Sequence, residues 1–274
     1  MQNKPKQFWS YVKSLNGINN AIPSLADSTG AVTEDDKQKA EILNLAFKNS
    51  FTVEDCSTIP PFNIRTNARM NNVVFCVSGI KKQLISLDNR KAPGPDGIPV
   101  RFYTEHAESI APYLCIIFQK SLEQQKVPRD WKKAQVIPVY KKGRKTDAQN
   151  YRPISLTSIC CRIMEHILCS SIMTFLDSQK LICRNQHGFR KQRSCETQLA
   201  LFVHEIQQAL DTGSQVDAVF LDFRKAFDSV PHRRLLLKVR AYGVSDEICG
   251  WLENFLTYRE QFVVLNGETS SETA

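Results

Sequence analysis

The residue with the clearest capacity for chemistry is Asp222, in the segment FLDFRKAFD at 220–228. It lies at the end of a nearly continuous apolar run, 216–223, which predicts a strand buried on both faces. A carboxylate there is costly unless it is paired, hydrogen-bonded or bound to a metal ion, and carboxylate oxygens are ligands that Mg²⁺ accepts. The alternative is an aspartate that caps the following turn, and spacing alone leaves both interpretations open.

A cluster of cations is the second candidate site. It comprises Lys141, Lys142, Arg144 and Lys145, with Arg152 and Arg162 close behind. A hairpin that presents such a cluster can hold a triphosphate, and arginine does so with two parallel hydrogen bonds. The competing interpretation is a solvated surface loop, because most runs of charge lie in water.

Two further loops contain residues that suit phosphate or nucleic acid. In 88–97, glycines allow a close backbone approach and Arg90 and Lys91 supply charge, but the segment lacks the P-loop pattern and by itself is a turn. In 186–193, basic residues surround Phe189, which suits single-stranded or hybrid nucleic acid and equally an ordinary loop with one buried Phe. The candidate residues of that second loop are His187, Arg190, Lys191 and Arg193.

Helical periodicity predicts most of the elements that position these residues. A helix over 33–51 is expected with Thr33 as its cap, and the Pro-containing stretch 52–72 indicates a linker. Apolar residues recur at helical spacing in a segment that starts at Ser194, which predicts a helix, and Gly213 ends it. Further helices are predicted over 104–125, over 158–176, from Pro231 to Gly243, and around Trp251.

The predicted strands complete a mixed α and β architecture. Segments 134–140 and 150–156 flank the basic loop as a hairpin-like pair, and Pro138 favours an edge position. The strand 261–265 runs into the turn Asn266-Gly267, which is a strong hairpin signal. The remaining ETSSETA is too short and polar to predict a partner strand.

Composition favours a polyanionic partner. Thirty-six Lys and Arg against 28 Asp and Glu give a formal charge of +8, and neutralising phosphates releases their condensed counterions. The nine cysteines contain no CxxC pair, so a zinc finger has no support, and the start of the chain has no apolar signal core. We expect an intracellular, unsecreted protein of the nucleus or cytoplasm, and no membrane partner, because no apolar run approaches the length of a membrane span.

The order of the motifs identifies a family. The motifs are KAPGPDGIP at 91–99, VIPVYKKG at 136–143, NYRPISLTS at 150–158, QHGFR at 186–190, SCETQL at 194–199 and FLDFRKAFDSVPH at 220–232. This string resembles the reverse transcriptases of non-LTR retrotransposons, of the jockey-like and chicken-repeat-like type. The resemblance covers roughly residues 75–274.

The resemblance implies an α+β fold that is part of a right-hand polymerase. A helical N-terminal extension is expected over 1–75, fingers over 76–215 and the first part of the palm over 216–274. The enzyme it implies copies an RNA template into DNA from a DNA primer and dNTPs, with Mg²⁺ as cofactor. Asp222 matches the first metal-binding aspartate, and the backbone carbonyl of Phe223 would be a further ligand.

The resemblance also implies roles for the surrounding residues. Phe227 matches the bulky residue that blocks a ribose 2′-OH. Arg152 and Arg162 match basic finger positions near the incoming triphosphate, where Lys141 and Lys142 would add charge. The segment 186–193 resembles one that contacts template or primer.

The family's hairpin with two adjacent aspartates would follow Ala274, so we expect no polymerase activity from this chain alone. Two alternatives stay open. One is a non-catalytic nucleic-acid-binding module that retains the basic loops. The other is a remnant that folds poorly because its last sheet lacks partner strands.

Overall fold

The computed structural model describes residues 22–27 and 29–273, so residues 1–21 of the predicted N-terminal extension lie outside the described part. The helices are α1 (Asp36–Lys48), α2 (Val77–Ile85), α3 (Val100–Glu105), α4 (Ala107–Glu123), α5 (Ile159–Ser178), α6 (Cys195–Asp211), α7 (His232–Ala241) and α8 (Asp246–Leu256). The strands are β1 (Leu25–Ala26), β2 (Val32–Thr33), β3 (Lys133–Tyr140), β4 (Tyr151–Leu156), β5 (Glu260–Leu265) and β6 (Glu268–Thr269). The predicted α+β class is confirmed.

The chain divides into two compact units. The described residues of unit 1 lie within 22–49, Gln135–Ser155 and Gln261–Thr273. Its sheet has the strand order β4-β3-β5-β6, beside a short antiparallel pair of β1 and β2. Helix α1 contributes Ala40, Leu43 and Phe47 to the core of this unit, and the sheet contributes residues such as Val136 and Val263. The core is therefore built from segments that are far apart in sequence.

Helix α1 begins three residues later than predicted. Thr33 belongs to β2, and the cap is Asp35, whose carboxylate accepts a hydrogen bond from the backbone N–H of Gln38 at 2.8 Å. The predicted hairpin signal is confirmed, since Asn266 and Gly267 have φ values of 51° and 94°. Both values are those of a turn that joins two twisted strands tightly.

Two expectations about the sheet are wrong. The tail ETSSETA does supply a partner strand, because β6 pairs antiparallel with β5 through Val264 with Thr269 and Leu265 with Glu268. The turn places these residues opposite β5, and that closeness offsets their low strand propensity. Pro138 does not lie on an edge strand, because β3 has neighbours on both sides.

Unit 2 combines Ser50–Ala134 and Leu156–Glu260, together with Ala274. Its core is helical, with α2, α4 and α8 packed around large side chains such as Phe118 and Trp251. Trp251 buries its indole and donates from Nε1 to Ser121 Oγ at 3.0 Å. A buried Trp needs such an acceptor, and Ser121 in turn donates to the carbonyl of Lys126 at 2.6 Å.

Helix α5 corrects the expectation about apolar runs. Its twenty residues are long and apolar enough to cross a membrane, by length and composition alone. Core helices pass the same test, and α5 buries residues that belong to the core of unit 2. These residues are Ile159, Cys161, Ile163, Met164 and Leu168. One face of α5 therefore belongs to the core of unit 2.

The predicted strand 216–223 is absent. The segment is irregular, and Val219, Phe220 and Leu221 are more than four-fifths exposed. Helix α6 forms as predicted, with Ser194 and Thr197 making a reciprocal cap, but none of its residues is buried. An apolar strand needs both backbone partners and cover for its faces, and no described strand supplies them. The apolar face of α6 lacks cover in the described part of the chain for the same reason.

Candidate functional site

The basic loop between β3 and β4 is built by its own hydrogen bonds. The N–H of Lys141 donates to the carbonyl of Asn150 at 2.9 Å, which closes the loop at its base. The side chain of Asn150 donates to the carbonyl of Arg144 at 3.0 Å, and Tyr151 Oη donates to the carbonyl of Lys145 at 2.7 Å. Gly143 has a φ of 96°, which favours glycine there. The loop is therefore fixed before any ligand arrives.

The predicted phosphate-binding cations of unit 1 lie on the surface of this fixed loop and the strand after it. Lys141, Lys142, Arg144 and Arg152 are exposed. Lys145 lies over the ring of Tyr140, with Nζ 5.6 Å from the ring centroid. Cations on a rigid loop lose little freedom when they bind a phosphate, so this part of the prediction is compatible with the structure.

Asn150 and Tyr151 are residues of the site that the sequence interpretation missed. They do not present charge, but they anchor the carbonyls of Arg144 and Lys145 and so determine the shape of the loop. A signal was present, because both directly precede Arg152 in the motif NYRPISL, a few residues after the cationic run. Their side chains hold the backbone of the loop by hydrogen bonds, and the cationic side chains of the loop remain exposed.

Asp222 and Phe223 lie in unit 2, on the exposed segment that was predicted as a strand. The carboxylate of Asp222 is exposed and has no hydrogen-bond partner in the described part of the chain, so it does not cap the following turn. The ring of Phe227 is 76% exposed and meets Phe189 edge-on, with centroids 5.8 Å apart. The structure thus brings together two residues that the sequence placed in separate candidate sites.

The segment 186–193 divides into buried and exposed residues. His187 is 4% exposed, and its Nδ1 lies 2.8 Å from Thr197 Oγ1 at the start of α6. It therefore positions the loop and does not offer its ring to a ligand. Arg190 is held by Asp177 at 2.5 Å, whereas Lys191 and Arg193 remain exposed.

The segment 88–97 is a turn in which Arg90 and Gly94 make contacts with other residues of the chain. Arg90 makes two hydrogen bonds of 2.9 Å with Asp88, and these bonds lower the pKa of that carboxyl to about 2. A Cβ on Gly94 would lie 2.7 Å from the carbonyl oxygen of Thr157, so the close approach is to the chain's own backbone. Lys91 is exposed.

The remaining predicted residue, Arg162, lies half-buried on α5. One helical turn away, the pKa of Glu165 is raised, because burial disfavours the charged carboxylate. A hydrogen bond from Cys161 and the charges of Arg259 and Arg162 oppose that shift but do not cancel it. In the described structure, the charge of Arg162 therefore acts on the carboxyl group of Glu165 and lowers its pKa.

The described residues do not by themselves fit a Mg²⁺ site. Asp222 brings one carboxylate, and within residues 22–27 and 29–273 no three His, Cys, Asp or Glu side chains come together as a metal-binding group. Mg²⁺ is held by one or two carboxylates together with waters and substrate phosphates. We derive no chemical step through the ion from these residues.

Comparison with known proteins agrees with the resemblance drawn from the motifs. Residues 139–274 match the family described as reverse transcriptase (RNA-dependent DNA polymerase). The RNA-directed DNA polymerase from mobile element jockey of Drosophila melanogaster is 31% identical over 193 residues, which are 70% of this chain and 21% of that protein. The probable RNA-directed DNA polymerase from transposon X-element of the same species is 27% identical over 256 residues, which are 90% of this chain and 28% of that protein.

The chain thus spans between about a fifth and somewhat more than a quarter of the length of these relatives. The family match, the mixed fold and the order of the motifs define the class of protein as a reverse transcriptase. The chain belongs to the reverse transcriptase family, in the group found in non-LTR retrotransposons of the jockey type.

Proposed function

We propose that this chain forms part of an RNA-directed DNA polymerase, and that its own contribution is to bind RNA template, DNA primer and nucleotide phosphates. The observation that carries the proposal is the loop between β3 and β4, which is fixed internally and keeps its cations exposed. A rigid set of positive charges suits phosphates, since little ordering is needed on binding. The +8 charge of the chain supports the same class of partner.

The finer assignments belong to this proposal. Asp222, with the carbonyl of Phe223, supplies one part of a Mg²⁺ site that further carboxylates complete. Phe227 screens the ribose 2′-OH of an incoming nucleotide. Arg152, Lys141 and Lys142 hold its phosphates, with Arg162 at the margin of that set.

The assignment to a right-hand polymerase is also a proposal, with an extension over 1–75, fingers over 76–215 and the start of the palm over 216–274. The segment 186–193, with Arg90 and Lys91, contributes to nucleic-acid binding. Lys91, Lys191 and Arg193 are its best-placed members, because they are exposed, whereas Arg90 and Arg190 already have carboxylate partners. A place in the nucleus or cytoplasm follows from the reverse transcription of an intracellular RNA.

A salt titration of binding tests the proposal. We expect the Lys141→Ala/Lys142→Ala variant to bind a labelled RNA–DNA hybrid more weakly than the parent chain. The slope of log affinity against log salt should fall by about 1.8, because each lost phosphate contact on a duplex lowers it by about 0.9. The control is Lys37→Ala/Lys48→Ala, which removes the same charge from exposed positions of α1 in the same unit. Equal effects of the two variants would contradict the proposal.

An incorporation assay tests the finer assignments. In a longer protein that polymerises, Asp222→Ala should abolish incorporation of labelled dTTP, and Phe227→Ala should admit ribonucleotides. Incorporation that survives Asp222→Ala would remove Asp222 from the site. The same assay on the 274-residue chain tests the expectation that it incorporates no nucleotide alone.

A non-catalytic binding module is the second candidate. It is favoured by the exposed ring pair of Phe189 and Phe227, because exposed aromatic rings accept unpaired bases. Under this alternative, Phe227→Ala weakens binding to single strands. Under the first proposal it changes the choice of sugar and leaves binding largely intact.

A further inference from the structure

A surface of unit 2 outside the predicted site combines an exposed aromatic ring with several cations. We call it the Tyr258 patch: Arg129, Lys132, Lys133, Tyr258 and Arg259. A pocket of about 250 Å³ opens there, lined by three of these residues together with Val127 and Glu260. Tyr258 is 88% exposed and has a φ of 54°, which is uncommon for a residue with a side chain. The fold thus holds a large ring in water through a strained backbone conformation.

The backbone on both sides of the pocket is fixed. The N–H of Val127 donates to Asn254 Oδ1 at 3.0 Å, which ties the segment before Arg129 to helix α8. The guanidinium of Arg259 lies 4.4 Å from the ring centroid of Phe255 and donates to the carbonyl of the same residue. Phe255 in turn stacks on the buried Trp251 with centroids 5.1 Å apart. Tyr258 therefore projects from a rigid base.

Positive charge dominates the patch. It contains four cations, of which Arg259 is half-buried, and the same segments of the chain carry two carboxylates, of Asp130 and Glu260. One carboxylate, of Glu260, lies within salt-bridge distance of two of the cations, 3.7 Å from Lys133 and 4.0 Å from Arg129. Lys132 Nζ lies 6.0 Å from the centre of the Tyr258 ring, and partial burial together with the charge of Arg259 lowers its pKa. An anion bound here would reduce the electrostatic repulsion between these cations.

We propose that the Tyr258 patch binds single-stranded nucleic acid, with an unpaired base stacked on Tyr258 and neighbouring phosphates on Arg129 and Lys132. Stacking requires an unpaired base, and the pocket has room for one base and its sugar but not for a double helix. The proposal extends the proposed function to a second surface, whose residues lie outside the basic loop and the Asp222 segment. RNA and DNA single strands share the chemistry, and the test separates them.

The test measures the anisotropy of a short labelled single strand, as RNA and as DNA, and of the corresponding duplex. We expect Tyr258→Ala to weaken single-strand binding at least about fivefold, the lower end of what one stacked base contributes, and to leave duplex binding unchanged. Tyr258→Phe should retain binding. The matched control is Tyr113→Ala, which removes a 70% exposed tyrosine from α4.

The cations are tested through the salt dependence. Arg129→Ala/Lys132→Ala should reduce the slope by roughly 1.4, for two phosphate contacts on a single strand. Lys82→Ala/Lys120→Ala removes the same charge from exposed positions of α2 and α4 and should leave the slope unchanged. A larger effect on RNA than on DNA would identify the strand as RNA, and the reverse result as DNA.

Two outcomes overturn the proposal. If Tyr258→Ala behaves like Tyr113→Ala while the Lys141→Ala/Lys142→Ala variant still weakens binding, the patch fails and the proposed function stands. If only the double cation variant matters, and it weakens binding of inorganic polyphosphate equally, the patch is a general anion surface. Loss of binding in the Tyr258 variant alone, with no effect of the basic loop, would support the patch and contradict the function proposed for the loop.

Discussion

Strand β5 and the segment 216–223 share an apolar pattern, but only β5 forms a strand. Both are apolar runs that predict strands, FVVL in one and AVFLDF in the other. In β5, Val263 is fully buried and β6 arrives after a two-residue turn. In 216–223 the apolar side chains are exposed, and no described strand is its neighbour. An apolar pattern therefore shows that a segment is able to form a strand. Whether the strand forms depends on a neighbouring strand with which it can pair.

The two segments also differ in the turns beside them. The turn Asn266-Gly267 returns the chain directly beside β5. Gly213, with a φ of 74°, ends α6 and leads into 216–223 without returning the chain to any described strand. The apolar face of α6 meets the exposed segment only through isolated contacts, such as the rings of Phe202 and Phe220 at 5.8 Å. Neither element is covered by another within the described part of the chain.

Hydrogen exchange gives the largest expected difference between the two segments. Amides of β5 should open only with global unfolding, which for natural domains needs about 5–15 kcal/mol. Amides of 219–223 should open at almost no free-energy cost. Exchange measured by mass spectrometry on peptides from both segments checks this. Comparable protection of the two would contradict the comparison, whereas a longer protein that supplies a partner strand should raise protection in 219–223.

A buried charge gives the next largest effect. Val263→Asp should lower the free energy of unfolding by at least about 3 kcal/mol, because it places a carboxylate among the apolar side chains of the described core of unit 1. Val219→Asp, at a position that is 81% exposed, should change it by less than about 0.5 kcal/mol. Urea denaturation of both variants makes the measurement. A large loss in the Val219 variant would show that 216–223 is packed in solution.

Substitutions of two glycines should have a smaller effect on the free energy of unfolding. Gly267 and Gly213 have φ values of 94° and 74°, and a Cβ at either position would meet no atom. Gly267→Ala should lower the free energy of unfolding by about 1 kcal/mol, since the turn fixes the register of β5. Gly213→Ala introduces similar backbone strain but should lower the free energy of unfolding by less, because α6 buries none of its residues. Equal losses would mean that α6 unfolds together with the core.

The features that sequence predicted correctly depend on residues only a few positions apart. Ser194 caps α6 through Thr197, and Asn266-Gly267 closes its hairpin, each with partners inside the motif. The same holds for the cations of the basic loop, which are exposed as their composition suggests. Local chemistry fixes these features, so local sequence is enough to predict them.

The features that the sequence interpretation missed depend on contacts outside each motif, some of them with segments far along the chain. The position of Pro138 depends on β5, which arrives more than a hundred residues later in the chain. His187 was predicted to contact nucleic acid, but its burial depends on Thr197 and the fold of the loop. Asn150 and Tyr151 were missed because their role is to bind backbone carbonyls, which the sequence does not show. Predicting such features requires knowing which segments meet.

The smallest expected effect compares two carboxylates of unit 2, Glu165 on α5 and Asp222 on the exposed segment. The pKa of Glu165 is raised, chiefly by burial, so the folded state holds its proton more tightly than the unfolded chain does. Its contribution to stability is therefore complete below its ordinary pKa of 4.5 and is lost as pH rises through the raised pKa. Glu165→Gln does not titrate, so its stability relative to the parent chain should increase from pH 4.5 toward neutrality.

Asp222→Asn serves as the matched comparison and should change stability by less than about 0.5 kcal/mol at every pH. Urea denaturation of both variants over that pH range provides the measurement. A Glu165→Gln variant that becomes less stable than the parent as pH rises would mean that the attraction of Arg259 and Arg162 outweighs the burial of the carboxylate. In that case α5 is held to the end of α8 by an ion pair, and the packed region depends on charge as well as on apolar contact.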